Sequence, residues 1–481
     1  MRLRTRSLIA GALALGACAP VGPDYVRPTL SVPSEYHGVT GTWKPAQPAD
    51  TLPRGKWWEI FGDPQLNALA ERIDGANQTI RQAEARYAQA QAVLRQTRAE
   101  RYPFVTGSAS ARRSRTYRES AGATSDFDLG VDASWEVDVW GRVRRAVEAG
   151  RAQTQAAAAD VESVRLSVTA ALLQNYLALR VTDAQSRLLE DTVSAYNRLL
   201  TLTRNRYNAG VVGKSDVVQA EAQVKSTQAQ HVDLGVQRAH FAHAIAALIG
   251  ETPATLSVAP APLVARLPAI PPGLPSELLE RRPDIANAER RVAAANARIG
   301  VAQAALFPAV NLSAGSAINS TTLPELLRAP TLFWALGSAA MQVLFDGGER
   351  QALTDQARAL LDAEAAVFRQ TVLTSFQEVE DNLAALRILE EEAKLQAEAV
   401  AAARESVKLT ENRYRAGAAS ILEVIVVQTI ALSNERTALG IHGRRFAAAV
   451  QLVKALGGGW DARSLEQMLA TQGEIPEQSA R

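Results

Sequence analysis

Phe127-Asp128-Leu129-Gly130-Val131-Asp132-Ala133-Ser134-Trp135-Glu136-Val137-Asp138-Val139 alternates between apolar residues and acidic or small ones. Successive side chains of an extended strand point to opposite sides, so Phe127, Leu129, Val131, Ala133, Trp135, Val137 and Val139 share one face. Asp128, Asp132, Glu136 and Asp138 share the other. Taken alone, such a strand suits two places. It is the half-buried strand of a soluble sheet, or a barrel wall between lipid and an aqueous lumen, which about ten tilted residues suffice to cross.

An internal repeat gives this strand a counterpart. Arg206-Tyr207-Asn208-Ala209-Gly210 recurs as Arg413-Tyr414-Arg415-Ala416-Gly417, and the same shift of 207 maps Asp216-Val217 onto Glu423-Val424 and Ile249-Gly250 onto Leu456-Gly457. Upstream the shift is 205, placing Ala83-Glu84 on Ala288-Glu289 and Arg101-Tyr102-Pro103 on Leu306-Phe307-Pro308. The division expected is residues 1–17 as a leader, 18–64 as an N-terminal segment, 65–249 and 276–456 as the two repeats, and 457–481 as a tail. Pro253, Pro260, Pro262, Pro268, Pro271, Pro272 and Pro275 make 250–275 an extended linker that cannot be helix.

Each repeat reads as a shorter helix, two strands, a very long helix, a turn and another helix. The long helices are expected at 141–208 and 347–415, the turns at 209–214 and 416–420, and the following helices at 215–249 and 421–456. Leu189, Val193, Tyr196, Leu200, Thr203 and Tyr207 step by four and three, as do Val372, Phe376, Val379, Leu383 and Leu386, which is a coiled-coil seam. A 68-residue helix reaches roughly 100 Å, and 65–102 or 215–249 about 50–60 Å, so two short helices end to end match one long one in an antiparallel rod.

The stretch 329–345 is uncharged and by itself passes for a short membrane helix. Its repeat partner excludes this, because a helix in a bilayer could not hold the acidic residues of 127–139. Four strands are therefore expected, at 104–112, 126–139, 309–319 and 333–345, in two hairpins. Four strands in lipid leave open edges with unsatisfied backbone groups, so the barrel must be shared among copies. Two copies give eight strands with a filled interior; three give twelve and leave a channel.

Composition narrows the function. Lys+Arg 52 against Asp+Glu 50 leaves the chain near neutral, against a nucleic-acid partner. Aromatic residues make up 5% and the single cysteine excludes an internal disulfide framework or a multi-cysteine metal cluster. Arg2, Arg4 and Arg6 precede a short apolar run, Leu8 to Ala14, in the order of an export signal, too short to span a bilayer. Leu15-Gly16-Ala17-Cys18 resembles the lipobox of bacterial lipoproteins, which implies that Cys18 is acylated, and Ala19 in place of Asp implies the outer membrane.

The chain resembles the TolC-like outer-membrane factors, in particular the lipoprotein branch called the NodT family of efflux channels. The segments that carry the resemblance are Gly22-Pro23-Asp24-Tyr25, Trp57-Trp58 with Phe61-Gly62-Asp63-Pro64, Trp135-Glu136-Val137-Asp138, Arg281-Arg282-Pro283-Asp284-Ile285, Phe307-Pro308 and Phe345-Asp346-Gly347-Gly348, and their order is the specific feature. The resemblance implies a mainly α chain with a membrane β-barrel, closing as a homotrimer with twelve strands and an α-helical tunnel. It also implies passage of substrates outward from an inner-membrane efflux pump through a periplasmic adaptor. Asp216 and Glu423, six positions after the glycines Gly210 and Gly417, fall where relatives constrict the periplasmic entrance. Tyr414 falls where a tyrosine bonds across to the first of these acids; Val426 and Ala419 replace a second acidic ring and a latch arginine. Asp216 and Glu423 also suit helix capping, and the two roles can coexist. Residues 209–214, including Lys214, and 416–421 are the expected adaptor-docking turns.

No enzyme site is expected, and neither a metal nor another cofactor. His240 and His243 with His231 nearby lack a carboxylate or thiolate to complete a metal site. Gly457-Gly458-Gly459 follows a helix where a phosphate loop would open one, and Pro283 reads as a helix start. Two other readings stay open: a protein-secretion channel, and a coiled-coil lipoprotein spacing the outer membrane from the cell wall.

Overall fold

A helix of 67 residues must satisfy its first amides, and each of the two long helices here draws on an aspartate in the segment just after a strand. Asp138 accepts from the amides of Val143 and Arg144 at 2.9 Å, and Asp346 from those of Gly348 (2.9 Å) and Arg350 (3.3 Å). The structure, a computed structural model, describes residues 20–27, 56–115, 123–263, 267, 282–326 and 332–458. The leader, Cys18 and the tail beyond 458 lie outside them.

A 3-10 turn, Trp57–Phe61, leads into α1 (Pro64–Ala76), α2 (Gln78–Ala99), β1 (Phe104–Ser114), β2 (Thr124–Val137), the long helix α3 (Arg142–Asn208) and α4 (Lys214–Leu248). The second half follows the same order with α5 (Pro283–Ala304), β3 (Ala309–Ser320), the single turn α6 (Leu323–Leu326), β4 (Leu332–Met341), the long helix α7 (Glu349–Arg415) and α8 (Ile421–Ala455). Among the described residues no helix is long and apolar enough to cross a membrane.

Three expectations are corrected. The helix expected over 65–102 is broken at Asn77, whose side-chain oxygen accepts from the amides of Thr79 and Ile80 and so starts α2 afresh. The shift of 205 puts Gln78 on Pro283, so the second repeat starts its helix at the same place with a proline, which has no amide to leave unpaired. β2 ends at Val137, because the amide of Val139 turns back onto the carbonyl of Val137 and Asp138 leaves the ladder to cap α3. β4 ends at Met341, not 345, since its partner β3 begins at Ala309, directly after Pro308, which has no amide to give a ladder.

The chain divides into two units. One comprises Met1–Leu30, Ala85–Ala158 and Asn287–Gln370. It holds one antiparallel sheet in the order β1-β2-β3-β4, so the two expected hairpins join through β2 and β3. It also holds the segment from Pro20 to Tyr25. The amide of Val21 bonds the carbonyl of Trp140, Asn296 donates to the carbonyl of Pro23, and the Tyr25 hydroxyl meets Glu289 at 2.5 Å. Gly22 has φ +101°, and a Cβ there would lie 2.5 Å from the Cα of Gly300, so both positions require the bare backbone.

The second unit comprises Ser31–Glu84, Ala159–Ala286 and Thr371–Arg481. Its core gathers Trp58, Phe61, Leu66, Leu173, Tyr176 and Phe446 from the 3-10 turn, α1, α3 and α8. Arg180 of α3, 1% exposed, stacks on Tyr176 and bonds Asp183, Gln65 and the carbonyl of Ala259. Arg282 at the start of α5 is buried too, paired with Asp284 and Glu378 and donating to the carbonyl of Ala455.

Candidate functional site

The register of the sheet assigns every strand residue to one of two faces. Leu129 lies opposite Ile318 and Ala109, Val131 opposite Ser316 and Gly107, and Trp334 and Leu336 opposite Ser316 and Ala314. Val105, Leu129, Val131, Leu332, Trp334 and Leu336 therefore share a face, and all are exposed. The other face carries Asp128, Asp132 and Glu136 with Thr106, Ser110, Asn311 and Ser313 from the neighbouring strands. Ser110 donates to Asp128 at 3.0 Å across β1 and β2. Among the described residues nothing pairs with the outer edges of β1 and β4. An exposed apolar face of this size has no place in water, and a bare strand edge has none in lipid.

The second unit brings the two tip turns together. At the end of α3, Gly210 adopts φ +73° while the amides of Gly210 and Val211 return to the carbonyls of Tyr207 and Arg206. At the end of α7, Gly417 adopts φ +78° with the matching bonds from Gly417 to Tyr414 and from Ala418 to Arg413. Both are left-handed helix ends of the kind glycine favours. Tyr196, Leu200, Val224, Tyr414, Ile421 and Val424 pack into one apolar cluster between the hairpins.

The acids sit at equivalent positions in the first turns of α4 and α8. Glu423 completes a capping box with Ser420: its carboxylate accepts from the amide (3.0 Å) and hydroxyl (3.1 Å) of Ser420, and its own amide donates to Ser420 Oγ at 3.3 Å. These bonds, with Arg413 3.7 Å away, hold the Glu423 carboxyl below the ordinary carboxylate range although it is exposed. Asp216 accepts from the hydroxyl of Ser215 at 3.3 Å, and its helix starts at Gly213 with no side-chain cap. Lys214 and Val211 are exposed.

The expected bond between Tyr414 and Asp216 is absent. Tyr414 is 1% exposed and turned into the seam, where its hydroxyl lies 2.9 Å from Thr203 Oγ1. The Asp216 carboxylate accepts from Ser215 instead. Tyr207, placed in the seam by its heptad spacing, is 43% exposed. His231 pairs with Ser186 at 2.9 Å, and among the described residues no three potential ligands gather to hold a metal.

The chain matches the outer membrane efflux protein family over residues 69–251 and 274–458. The chain belongs to that family. It is an outer-membrane efflux channel, mainly helical with a four-stranded antiparallel sheet, and it extends into the periplasm. It is similar to the pyoverdine export outer membrane protein OpmQ of Pseudomonas aeruginosa, 32% identical over 96% of this chain and 98% of that one. The probable efflux pump outer membrane protein TtgC of Pseudomonas putida is 31% identical over 94% and 95%. A solved structure of the outer-membrane channel OprN is 31% identical over 92% of this chain and 99% of that one, with a TM-score of 0.83.

Several residues at the channel's tips escaped the sequence reading. Ser420 with Glu423 spells a capping-box pattern that could have been read directly. Thr203 was visible only as a polar side chain in an apolar seam. Arg206 looked like one half of a repeated motif, and its sequence carries no sign that it reaches the other hairpin.

Proposed function

We propose that three copies of this channel close around one axis, each anchored in the outer membrane by acylated Cys18. In this reading the turns at 209–214 and 416–421, with Gly210, Lys214 and Gly417, receive the helical hairpins of a periplasmic adaptor. Asp216, Tyr414 and Glu423 belong to the gate through which an inner-membrane pump delivers cargo. The conduit is passive: it performs no chemistry on its cargo and takes no cofactor.

The observation that carries this reading is the sheet, with one face suited to lipid, one acidic face and two open edges. Twelve such strands enclose a lumen wide enough to conduct. A periplasmic spacer has no use for this sheet. The relatives' names, pyoverdine export and efflux pump, support small-molecule cargo, drugs and toxic compounds among it, over secreted protein. Three exposed Glu423 carboxylates near a narrow axis repel one another and attract cations, filtering by charge as well as width.

The test is conductance in planar bilayers. The purified protein is expected to run as a detergent-stable trimer, and Glu423→Ala to raise its conductance or weaken its cation preference. A monomer without conductance, or a variant with unaltered conductance and selectivity, argues against the reading.

A further inference from the structure

The shift of 207 pairs Thr203 with Thr410, Arg206 with Arg413 and Tyr207 with Tyr414, yet the structure uses the members of each pair differently. Arg413 stays within its own hairpin, donating to the carbonyl of Ala418 at 3.1 Å and pairing with Glu423. Arg206 crosses from α3 to α7. Its Nη1 donates to the carbonyl of Tyr414 at 2.6 Å, and its guanidinium lies 4.7 Å from the centroid of the Tyr414 ring.

That carbonyl belongs to the last turn of α7, where the helix leaves its oxygens short of partners and the macrodipole is negative. The Gly417 amide takes one lone pair at 3.0 Å and Arg206 the other, so an arginine of the first hairpin caps the end of the second. Thr203 adds direction. Its hydroxyl donates to the carbonyl of Leu199 at 2.9 Å, and a hydroxyl has one proton, so towards Tyr414 it accepts and the tyrosine donates. Ring, hydroxyl and main-chain carbonyl of Tyr414 are thus all tied to α3.

We infer that Arg206, with Thr203, is the clamp that holds the second hairpin against the first in this channel, in place of the acid–tyrosine bond. The inference rests on the tips being the channel's entrance. Withdrawal of the second hairpin breaks a charged hydrogen bond, a cation–π contact and a hydroxyl pair at once, while the capping box of Ser420 and Glu423 moves with it intact.

The experiment is single-channel recording of purified trimers carrying Arg206→Ala, Arg206→Lys, Thr203→Val, Tyr207→Phe or Glu423→Ala. Arg206→Ala is expected to raise time-averaged conductance about tenfold, the loss of one charge-assisted bond. Arg206→Lys, which keeps a cation beside the carbonyl and ring, should fall between it and the native channel. Thr203→Val should raise conductance about threefold, and Tyr207→Phe, the exposed repeat partner, should not. If Arg206→Ala keeps native conductance while Glu423→Ala changes selectivity, the entrance is at the tips but the clamp is not Arg206. If every tip substitution is silent, the placement of the entrance itself fails. Should Arg206→Ala yield no trimer, Thr203→Val decides alone: a rise supports the clamp, and native conductance overturns it.

Discussion

Asp183→Ala should be among the most damaging single substitutions in the chain, although the residue is far in sequence from both tip turns. Its carboxylate is 4% exposed and receives Arg180 Nη1 and Arg238 Nε at 2.9 and 2.8 Å, with the amide of Ala261 at 3.3 Å. Without it Arg180 keeps its charge in a core where the side chain is 1% exposed. Stranding one member of a buried ion pair costs about 3–5 kcal/mol. The readout is the rate at which detergent-solubilised trimers lose structure irreversibly on heating, together with protease cutting in the proline-rich stretch 250–275, whose residues 258–261 are tied to this network through carbonyls and an amide. If the pair is fully broken in the unfolding transition state, the rate rises by a factor of about a hundred to several thousand at 1.4 kcal/mol per decade. Asp183→Asn, which keeps an acceptor, should cost about 1–3 kcal/mol. The combination Arg180→Met with Asp183→Leu should do less harm than Asp183→Ala, because it removes the stranded charge, and Arg238 is exposed enough to be solvated. An Asp183→Ala trimer unfolding within about twofold of the native rate would refute the argument.

Three further outcomes are expected. Gly300→Ala places a Cβ 2.7 Å from the carbonyl of Val21 and 2.8 Å from Arg145 Cγ, so the Pro20–Tyr25 segment should undock and become more open to protease; an unchanged cutting rate contradicts this. Leu336→Lys on the apolar face of the sheet should cost about 2–4 kcal/mol and deplete trimers from the outer membrane, whereas Asp132→Asn on the polar face should assemble normally; equal effects would remove the distinction between the faces. Glu423 is bonded by Ser420 in its ionised form, so its folded pKa lies below the ordinary 4.5, and what depends on its charge is present above that value and lost as pH falls through the lowered one. The difference in cation preference between the native channel and Glu423→Gln should therefore survive at about pH 4.5; its disappearance by about pH 5.5 would show that repulsion among the three carboxylates outweighs the Ser420 bonds.

How much of this was legible in the sequence depends on the range of the interaction. The alternation from Phe127 to Val139 is local and has a period of two, and the sheet's two faces follow from it directly. Gly210 and Gly417 mark the ends of the long helices because a left-handed residue is needed there and glycine adopts that conformation most readily. The pairing of β2 with β3 joins residues some 180 positions apart and has no local signature. The break at Asn77 was missed because one capping side chain competes with a long helix-favouring run on both sides. Arg180, Arg145 and Arg282 look like surface charges in sequence; their partners, a carbonyl from the linker, the residues after the leader and the end of α8, are set only by the tertiary fold.

The same contrast accounts for the asymmetry of the tips. The repeat makes Arg206 and Arg413 equivalent in sequence, but among the differences nearby one bears on their bonding: Gly213 begins α4 where Ser420 begins α8. Ser420 fixes Glu423 beside its own turn, and that carboxylate lies within reach of Arg413 in the same hairpin. Gly213 offers no side chain, the Asp216 carboxylate accepts from its neighbour Ser215, and no bond ties it to Arg206. Arg206 instead serves the carbonyl of Tyr414 in the last turn of α7, where the macrodipole favours a cation. The second hairpin is thereby bonded within itself, while the first supplies a bond across to it. Under the proposed clamp the two related motifs take different parts, the second hairpin moving and the first holding it, a division of labour that a symmetric pair of turns, each capping itself, would not provide.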